Sequence, residues 1–344
     1  SRMQRELGLN GVVLYAEGGK VLYEKAFGWR DLSQRRDSLR VDDMFQLASV
    51  SKMFTAEAIL LLHDRGKLKY DDDLTEYLPE FPYKGITIRH LLNHRSGLSR
   101  YETLADEHWP DRSVPIDNES VIKLYAKHRP VPYNAPNSSF HYTNVNYVLL
   151  ASIVERVSGK HFEDFMKQEI FEPLGMEHSY IYSLRGVDHL DLYVNTPVQG
   201  HDYFRKGPQR VQEDYLNGVF GDKVMYSTVE DLYRFSVALE CGSLVPDSLQ
   251  REAFAPGSDE WKNGDNYGFG WRLSYRHPGS VYHFGWWKGY RSFFIINREL
   301  GRVLIILTNT NSSAPGDPAW EFVEDTTLRL PAACALPGIG SILD

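Results

Sequence analysis

Cysteine is almost missing from this chain: Cys241 and Cys334 are the only two among 344 residues. Two thiols cannot build a disulfide framework or a Cys-rich metal site, so both are expected to be free. Long hydrophobic runs are missing as well. The longest, Ala58 to Leu62 and Val303 to Leu307, fall far short of the roughly 20 residues a membrane span needs. Nor is there an excess of positive charge. With 38 Lys and Arg against 46 Asp and Glu, a formal charge of -8 and no basic block, nucleic acid is disfavoured as a partner. Internal repeats and low-complexity tracts are absent. The chain starts without Met and without a signal peptide, as a trimmed or mature form would.

What is present suffices for one large domain or two lobes with real cores, since 42% of the residues are hydrophobic. Aromatic residues make up 13%, with 21 Tyr, enough for some rings to line a cleft. The most informative stretch runs from Phe45 through Ser49 and Lys52 to Gly66. Met53, Ala56 and Leu60 recur at helical spacing and Gly66 is a stop signal, so a helix is expected to begin near Ser49. Three places apart on that helix, Ser49 and Lys52 share a face. A serine hydroxyl is a poor nucleophile alone, and a desolvated lysine can take its proton. The helix N-terminus adds N–H groups for a developing oxyanion. Ser120-Val121-Ile122-Lys123 has the same spacing, but it follows a polar run where a helix start accounts for the serine. Ser49 differs in its apolar flanks.

Gly11 to Ala16 and Lys20 to Gly28 read as a hairpin turned at Gly18-Gly19. Asp71, Asp72 and Asp73 read as a solvated turn rather than a metal site. Thr87 to Gly97 reads as a short capped helix. Its His90 and His94 are spaced like zinc ligands, yet no Glu follows His90 and no third ligand is evident, so no metal is expected. Tyr101 to Val131 is Pro-punctuated and irregular, apart from a helix near Ser120 to Lys127. Further helices are expected over Asn144 to Gly159, Phe162 to Phe171 and Thr228 to Cys241. From Tyr267 the pattern turns to β: Tyr267 to Tyr275, Ser280 to Phe284, Ser292 to Arg298 and Arg302 to Thr308 form a meander, closed by a helix near Pro318 to Leu330. The expected fold class is α/β (α+β). An antiparallel sheet flanked by helices, from residues 1–75 and 246–344, carries an inserted, mainly helical lobe over 76–245, with the ligand cleft between them.

Two more groups stand out. Tyr142 and Asn144, two apart in an extended segment, point the same way, so Tyr142 can relay a proton with Lys52 while Asn144 bonds the acyl side of a substrate. Tyr215-Leu216-Asn217 repeats that pattern. In Tyr282-His283-Phe284-Gly285-Trp286, Gly285 lets a substrate approach the backbone and the Trp286 N–H completes an oxyanion hole with that of Ser49. His277-Pro278-Gly279 is the competing triplet, with a turn as its ordinary explanation.

Taken in this order, the elements resemble the serine β-lactamase and penicillin-binding-protein superfamily, with its Ser-x-x-Lys, Tyr-x-Asn and Lys/His-x-Gly motifs. The chain is most similar to the branch holding class C β-lactamases, D,D-peptidases and carboxylesterases. Ile86 to Leu98, Ser227-Thr228 before Asp231-Leu232, and Tyr267-Gly268-Phe269-Gly270-Trp271 also match that branch.

The resemblance implies Ser49 as acylated nucleophile, Lys52 as its base partner, Tyr142 in the proton shuttle and His283 where many relatives have Lys. Asn144, Phe284, Gly285 and Trp286 would meet the substrate, a small ester, amide or peptide. It implies no metal or organic cofactor, because an acyl-enzyme divides hydrolysis into two easier steps. An esterase or D,D-peptidase-like hydrolase leads; a β-lactamase, or a penicillin-binding receptor or scaffold without turnover, are the alternatives. An exported, periplasmic or cell-envelope location is implied too, and oligomeric state is left open. His283-Phe284 lacks the ammonium and hydroxyl that hold a substrate carboxylate in β-lactamase relatives. Uncharged esters are therefore expected to be better substrates than penicillins, unless Arg291 turns inward to restore an anchor.

Overall fold

The computed structural model describes residues 9–184, 198–311, 319–320 and 323–324. A seven-stranded antiparallel sheet draws on both ends of the chain: β1 (Gly11–Glu17), β2 (Lys20–Phe27), β3 (Asp265–Tyr267), β4 (Arg272–Ser274), β5 (Ser280–Trp287), β6 (Tyr290–Asn297) and β7 (Arg302–Thr308). They lie in the order β3-β4-β5-β6-β7-β1-β2. Gly11 of β1 faces both Phe27 and Thr308, so the first strand is closed in by the last. Side chains alternate across a strand, and Val12 and Leu14 enter one core while Val13 and Tyr15 enter another on the opposite face. A sheet covered on both faces explains why its central strands read as unbroken apolar runs.

The expected run from Tyr267 to Tyr275 is instead two strands joined by a turn. Gly270 in that turn has φ +83°, and a Cβ there would stand 2.8 Å from the Ala56 Cβ, so the turn packs directly on the nucleophile helix.

The helices are α1 (Ser51–Asp64), α2 (Ile88–Leu92), α3 (Tyr101–His108), α4 (Asn118–His128), α5 (Val145–Ser158), α6 (Phe162–Met166), α7 (Val229–Cys241) and α8 (Asp247–Ala253). Helix α1 is buried from Ser51 through Leu62, which places even Lys52 and Glu57 in the interior. It packs on α5, and α7 covers β1 and β7. Of the two candidate caps, Ser227 and Thr228, it is Thr228 that caps α7, and left-handed Gly242 ends it. Helix α3 lies where an irregular segment is expected, because only Tyr101, Leu104 and Ala105 give it an apolar side. The helix begun at Phe162 continues as a π-turn over Lys167–Phe171. Asp73 caps the turn Leu74–Glu76, consistent with a solvated turn. Phe45–Gln46 pairs with Met225–Ser227 and stitches the nucleophile segment to the chain leaving the helical region. Residues 319–320 and 323–324 are helical; the remainder of the expected terminal helix, and Cys334, lie outside the described residues. Among the described residues no helix is long and apolar enough to cross a membrane.

Candidate active site

Ser49 sits in a 3-10 turn, Ala48–Val50, that leads into α1 rather than in the α-helix itself. Ala48 has φ +49°, a strained conformation costing about 1–3 kcal/mol that persists only when its surroundings hold it. Here the Leu47 N–H donates to the Met225 carbonyl at 2.8 Å, and the Ser292 hydroxyl donates to the Leu47 carbonyl. Lys52 is fully buried. Its Nζ donates to Ser49 Oγ at 3.1 Å and to the Asp222 carbonyl at 2.8 Å. The same Nζ lies 5.2 Å from the ring centre of Tyr142 and 5.8 Å from that of Tyr147. The Tyr142 hydroxyl is buried and makes no hydrogen bond among the described residues. Such an unsatisfied group calls for an explanation, and waiting for a reacting atom is one.

Along β5, alternation sends His283, Gly285 and Trp287 to the Ser49 side and Tyr282, Phe284 and Trp286 to the other. A Cβ on Gly285 would collide with the Leu47 carbonyl and the Ser292 hydroxyl and stand 3.0 Å from the Ser49 nitrogen. The Gly285–Trp286 peptide therefore runs beside the Ser49 N–H. β4 pairs only as far as Tyr282, so the edge of β5 beyond it is not covered by that strand. The Trp286 indole is 65% exposed and donates to Asn311 Oδ1 at 2.7 Å.

One expectation is corrected here, and one exception to another does not arise. Phe284 does not face the site: its ring packs against Tyr282, Phe293 and Trp320 on the far side of the sheet. Arg291 pairs directly opposite Trp286 and so shares that far face. The cation at the site is Arg272, whose guanidinium lies 5.0 Å from the Tyr142 ring centre and 5.8 Å from that of Tyr267. Arg272 has no carboxylate partner among the described residues.

His283 is fully buried and 6.2 Å, centre to centre, from the Tyr142 ring. Its Nδ1 faces the Phe284 carbonyl at 2.8 Å and its Nε2 the Tyr267 hydroxyl at 2.9 Å. A carbonyl can only accept, so Nδ1 carries the proton and Nε2 accepts from Tyr267; this tautomer is assigned from the network. Burial, aided by the nearby Arg272 and Lys52 charges, holds the imidazole well below its ordinary 6.5. His283 is thus neutral and occupied at both nitrogens. Buried His94, also held well below 6.5 by burial, packs 4.2 Å from the Tyr142 ring. Asn144 donates its amide nitrogen to Glu102 Oε1 at 2.7 Å, which leaves Oδ1 buried without a hydrogen bond.

The competing motifs go elsewhere. Ser120 lies in the first turn of α4, its N–H bonded to Asp117, while Lys123 is exposed. Tyr215 donates to Asp106, Asn217 accepts from the Trp287 indole, and His277 bonds Glu324. No group of three His, Cys, Asp or Glu suited to a metal occurs among the described residues. Unforeseen were Arg272, Glu102 and a buried cluster of Tyr101, Asp222 and Lys223 behind Lys52, none of which stands in a recognisable spacing. His94 and Tyr267 did have a signal, since both lie in stretches that carry the family resemblance.

The Beta-lactamase family model matches residues 2–328. The chain belongs to the beta-lactamase family. Penicillin-binding protein 4* of Bacillus subtilis (strain 168) is 37% identical over 312 residues, covering 87% of this chain and 68% of that protein. The teichoic acid D-alanine hydrolase of Staphylococcus aureus (strain MRSA252) is 25% identical, covering 76% and 62%. The octameric penicillin-binding protein homologue from Pyrococcus abyssi superposes with a TM-score of 0.77 at 25% identity, over 93% of this chain and 74% of that one. The family member described here is a serine hydrolase of the β-lactamase fold.

Proposed function

We propose that the protein hydrolyses a small ester or amide through an acyl-enzyme on Ser49, in a cleft between a sheet lobe (1–75 and 246–344) and a helical lobe (76–245). The observation that carries this reading is the contact of Lys52 Nζ with Ser49 Oγ at 3.1 Å, with the lysine fixed from behind by the Asp222 carbonyl. Lys52 takes the Ser49 proton as Oγ bonds to the acyl carbon. The Ser49 and Trp286 N–H groups receive the oxyanion, and Tyr142 carries the proton to the leaving group. Water then cleaves the acyl-enzyme. Asn144, held by Glu102, flanks the acyl side; His283 supports Tyr267 rather than touching substrate. Neutral His283 and the outward Phe284 offer no anchor for a substrate carboxylate and favour uncharged esters, which makes nitrophenyl butyrate a better substrate than nitrocefin. Repeated turnover of the ester supports this account over a receptor or scaffold; efficient nitrocefin hydrolysis with negligible ester cleavage overturns it.

Arg272 favours a second reading, in which the leaving group carries a carboxylate, as in a peptide ending in D-alanine. A charged hydrogen bond is worth about 1.5–3 kcal/mol. Arg272→Ala should then lower kcat/KM for such a peptide by about 10- to 150-fold while affecting a neutral ester far less. Equal losses on both substrates exclude this reading. The relative named for teichoic acid D-alanine makes D-alanyl esters the amino-acyl substrates to test first. The relatives named for penicillin binding and teichoic acid support a cell-envelope location.

A further inference from the structure

The carbonyl that orients Lys52 belongs to a strap, residues 220–225, whose backbone turns left-handed twice, once at a glycine and once at a strained valine. Gly221 has φ +96° and Val224, a β-branched residue, has φ +64°. Left-handed valine is rare and survives only where neighbours over-determine it. The neighbours are visible: Asn118 accepts the Phe220 N–H, Thr55 donates to the Gly221 carbonyl at 2.7 Å, and Ser51 accepts the Met225 N–H at 3.3 Å. Between these ties stands Asp222, with its carbonyl on Lys52 and its buried carboxylate on Tyr101 and Lys223. Tyr101 Oη donates to Asp222 Oδ2 at 3.3 Å. Lys223 Nζ donates to Tyr101 Oη at 2.6 Å and lies 3.4 Å from both Asp222 oxygens. All three residues are at least 97% buried.

Buried charges of this kind are a poor source of net stability, because their desolvation offsets their attraction. They do fix geometry, since an ion pair satisfied by a third partner tolerates few arrangements. We infer that Tyr101, Asp222 and Lys223 form one positioning unit for the acylation step, which holds the Asp222 carbonyl, and through it Lys52 Nζ, in register with Ser49 Oγ. The inference rests on Ser49 and Lys52 being the acylating pair. Removing the Tyr101 hydroxyl or the Lys223 ammonium leaves the carboxylate short of a partner. The Asp222 peptide is then free to turn, and Lys52 loses the contact that aims it.

The test is the second-order rate of Ser49 phosphonylation by a fluorophosphonate, read per folded molecule, for wild type, Tyr101→Phe, Lys223→Met and the double variant. A nucleophile misplaced by about 1 Å costs up to about 100-fold, so each single change is expected to slow labelling by about 10- to 100-fold. The double variant should be little slower than either, and Lys223→Arg should recover part of the rate. With nitrophenyl butyrate the loss should fall on kcat rather than KM. Normal labelling in both single variants, with only a lowered thermal midpoint, shows a structural role and overturns the inference while leaving Ser49 acylation standing. Multiplicative losses in the double variant overturn the idea of one unit. If wild-type Ser49 is not labelled at all, the acylating pair itself is wrong and this inference falls with it. Should Tyr101→Phe not fold, Lys223→Met and Lys223→Arg still decide.

Discussion

Tyr267 Oη donates to His283 Nε2 at 2.9 Å, while His283 Nδ1 is occupied by the Phe284 carbonyl 2.8 Å away. A histidine so placed cannot titrate in its ordinary range without breaking a bond, and its depressed pKa agrees. The pH profile of kcat/KM on a neutral ester should therefore show no inflection near 6.5 that His283→Gln abolishes. The variant should lower kcat/KM by about an order of magnitude through misplacement of Tyr267 beneath Tyr142. An inflection near 6.5 present in wild type and absent from the variant would show that His283 changes charge during turnover.

Gly285 is required for shape. A methyl at this position meets the Leu47 carbonyl and the Ser292 hydroxyl, both part of the packing that holds Ala48 in its left-handed conformation. Gly285→Ala should destabilise the fold by about 1–3 kcal/mol and depress ester turnover more than the folded fraction explains. Thermal unfolding combined with active-site titration checks both. Unchanged activity in the folded variant would separate β5 from the oxyanion hole.

Glu57, buried on the same helix as Lys52, has its carboxyl pushed up to about 8 by desolvation. In the unfolded chain it ionises near 4.5, so between those values the folded state binds the extra proton. Stability from this group is complete below 4.5 and falls by about 1.4 kcal/mol per pH unit up to about 8. Glu213, raised to about 7 by burial, acts in the same direction over the lower part of that range. His94 and His283 act oppositely: their folded pKa is depressed, so their contribution is present above 6.5 and lost as pH falls. Between pH 7 and 8 Glu57 is the largest of these contributions, with Glu213 adding a smaller one of the same sign. Denaturant titrations should show wild type losing stability over that unit and Glu57→Gln losing much less; parallel slopes would contradict the assignment.

Much of the fold was legible because the sheet's turns and the helix caps are local. The Gly18-Gly19 hairpin, the Thr228 cap and the meander after Asn266 need only neighbouring residues. The nucleophile segment was legible for the same reason, as a serine and a lysine three apart in apolar flanks. What was hidden depends on residues distant in sequence. Lys52 is aimed by Asp222, 170 positions away, and Arg272 reaches Tyr142 from a distant strand. The facing of Phe284 and Arg291 follows from register, which one-residue alternation makes decisive and which a motif read as a triplet conceals. Helix α3 escaped notice because its apolar side is three residues wide. The burial of Lys52 was expected from its apolar flanks, while that of Glu57 on the same helix was not.

Lys52 and Tyr142 should act as one proton-transfer unit, since Lys52 Nζ lies 5.2 Å from the Tyr142 ring centre and both polar ends are buried. Lys52→Ala and Tyr142→Phe should each lower kcat by orders of magnitude, and the double variant little further. Fully multiplicative losses would mean independent roles.

The central claim is that Ser49 is acylated. Peptide mapping after a fluorophosphonate, repeated with an ester substrate trapped during turnover, tests it most directly. The account predicts a single covalent mass addition on the peptide carrying Ser49, and its loss in Ser49→Ala with the folding transition retained. A label on Ser120 or any other residue, or ester turnover that survives Ser49→Ala, would contradict it.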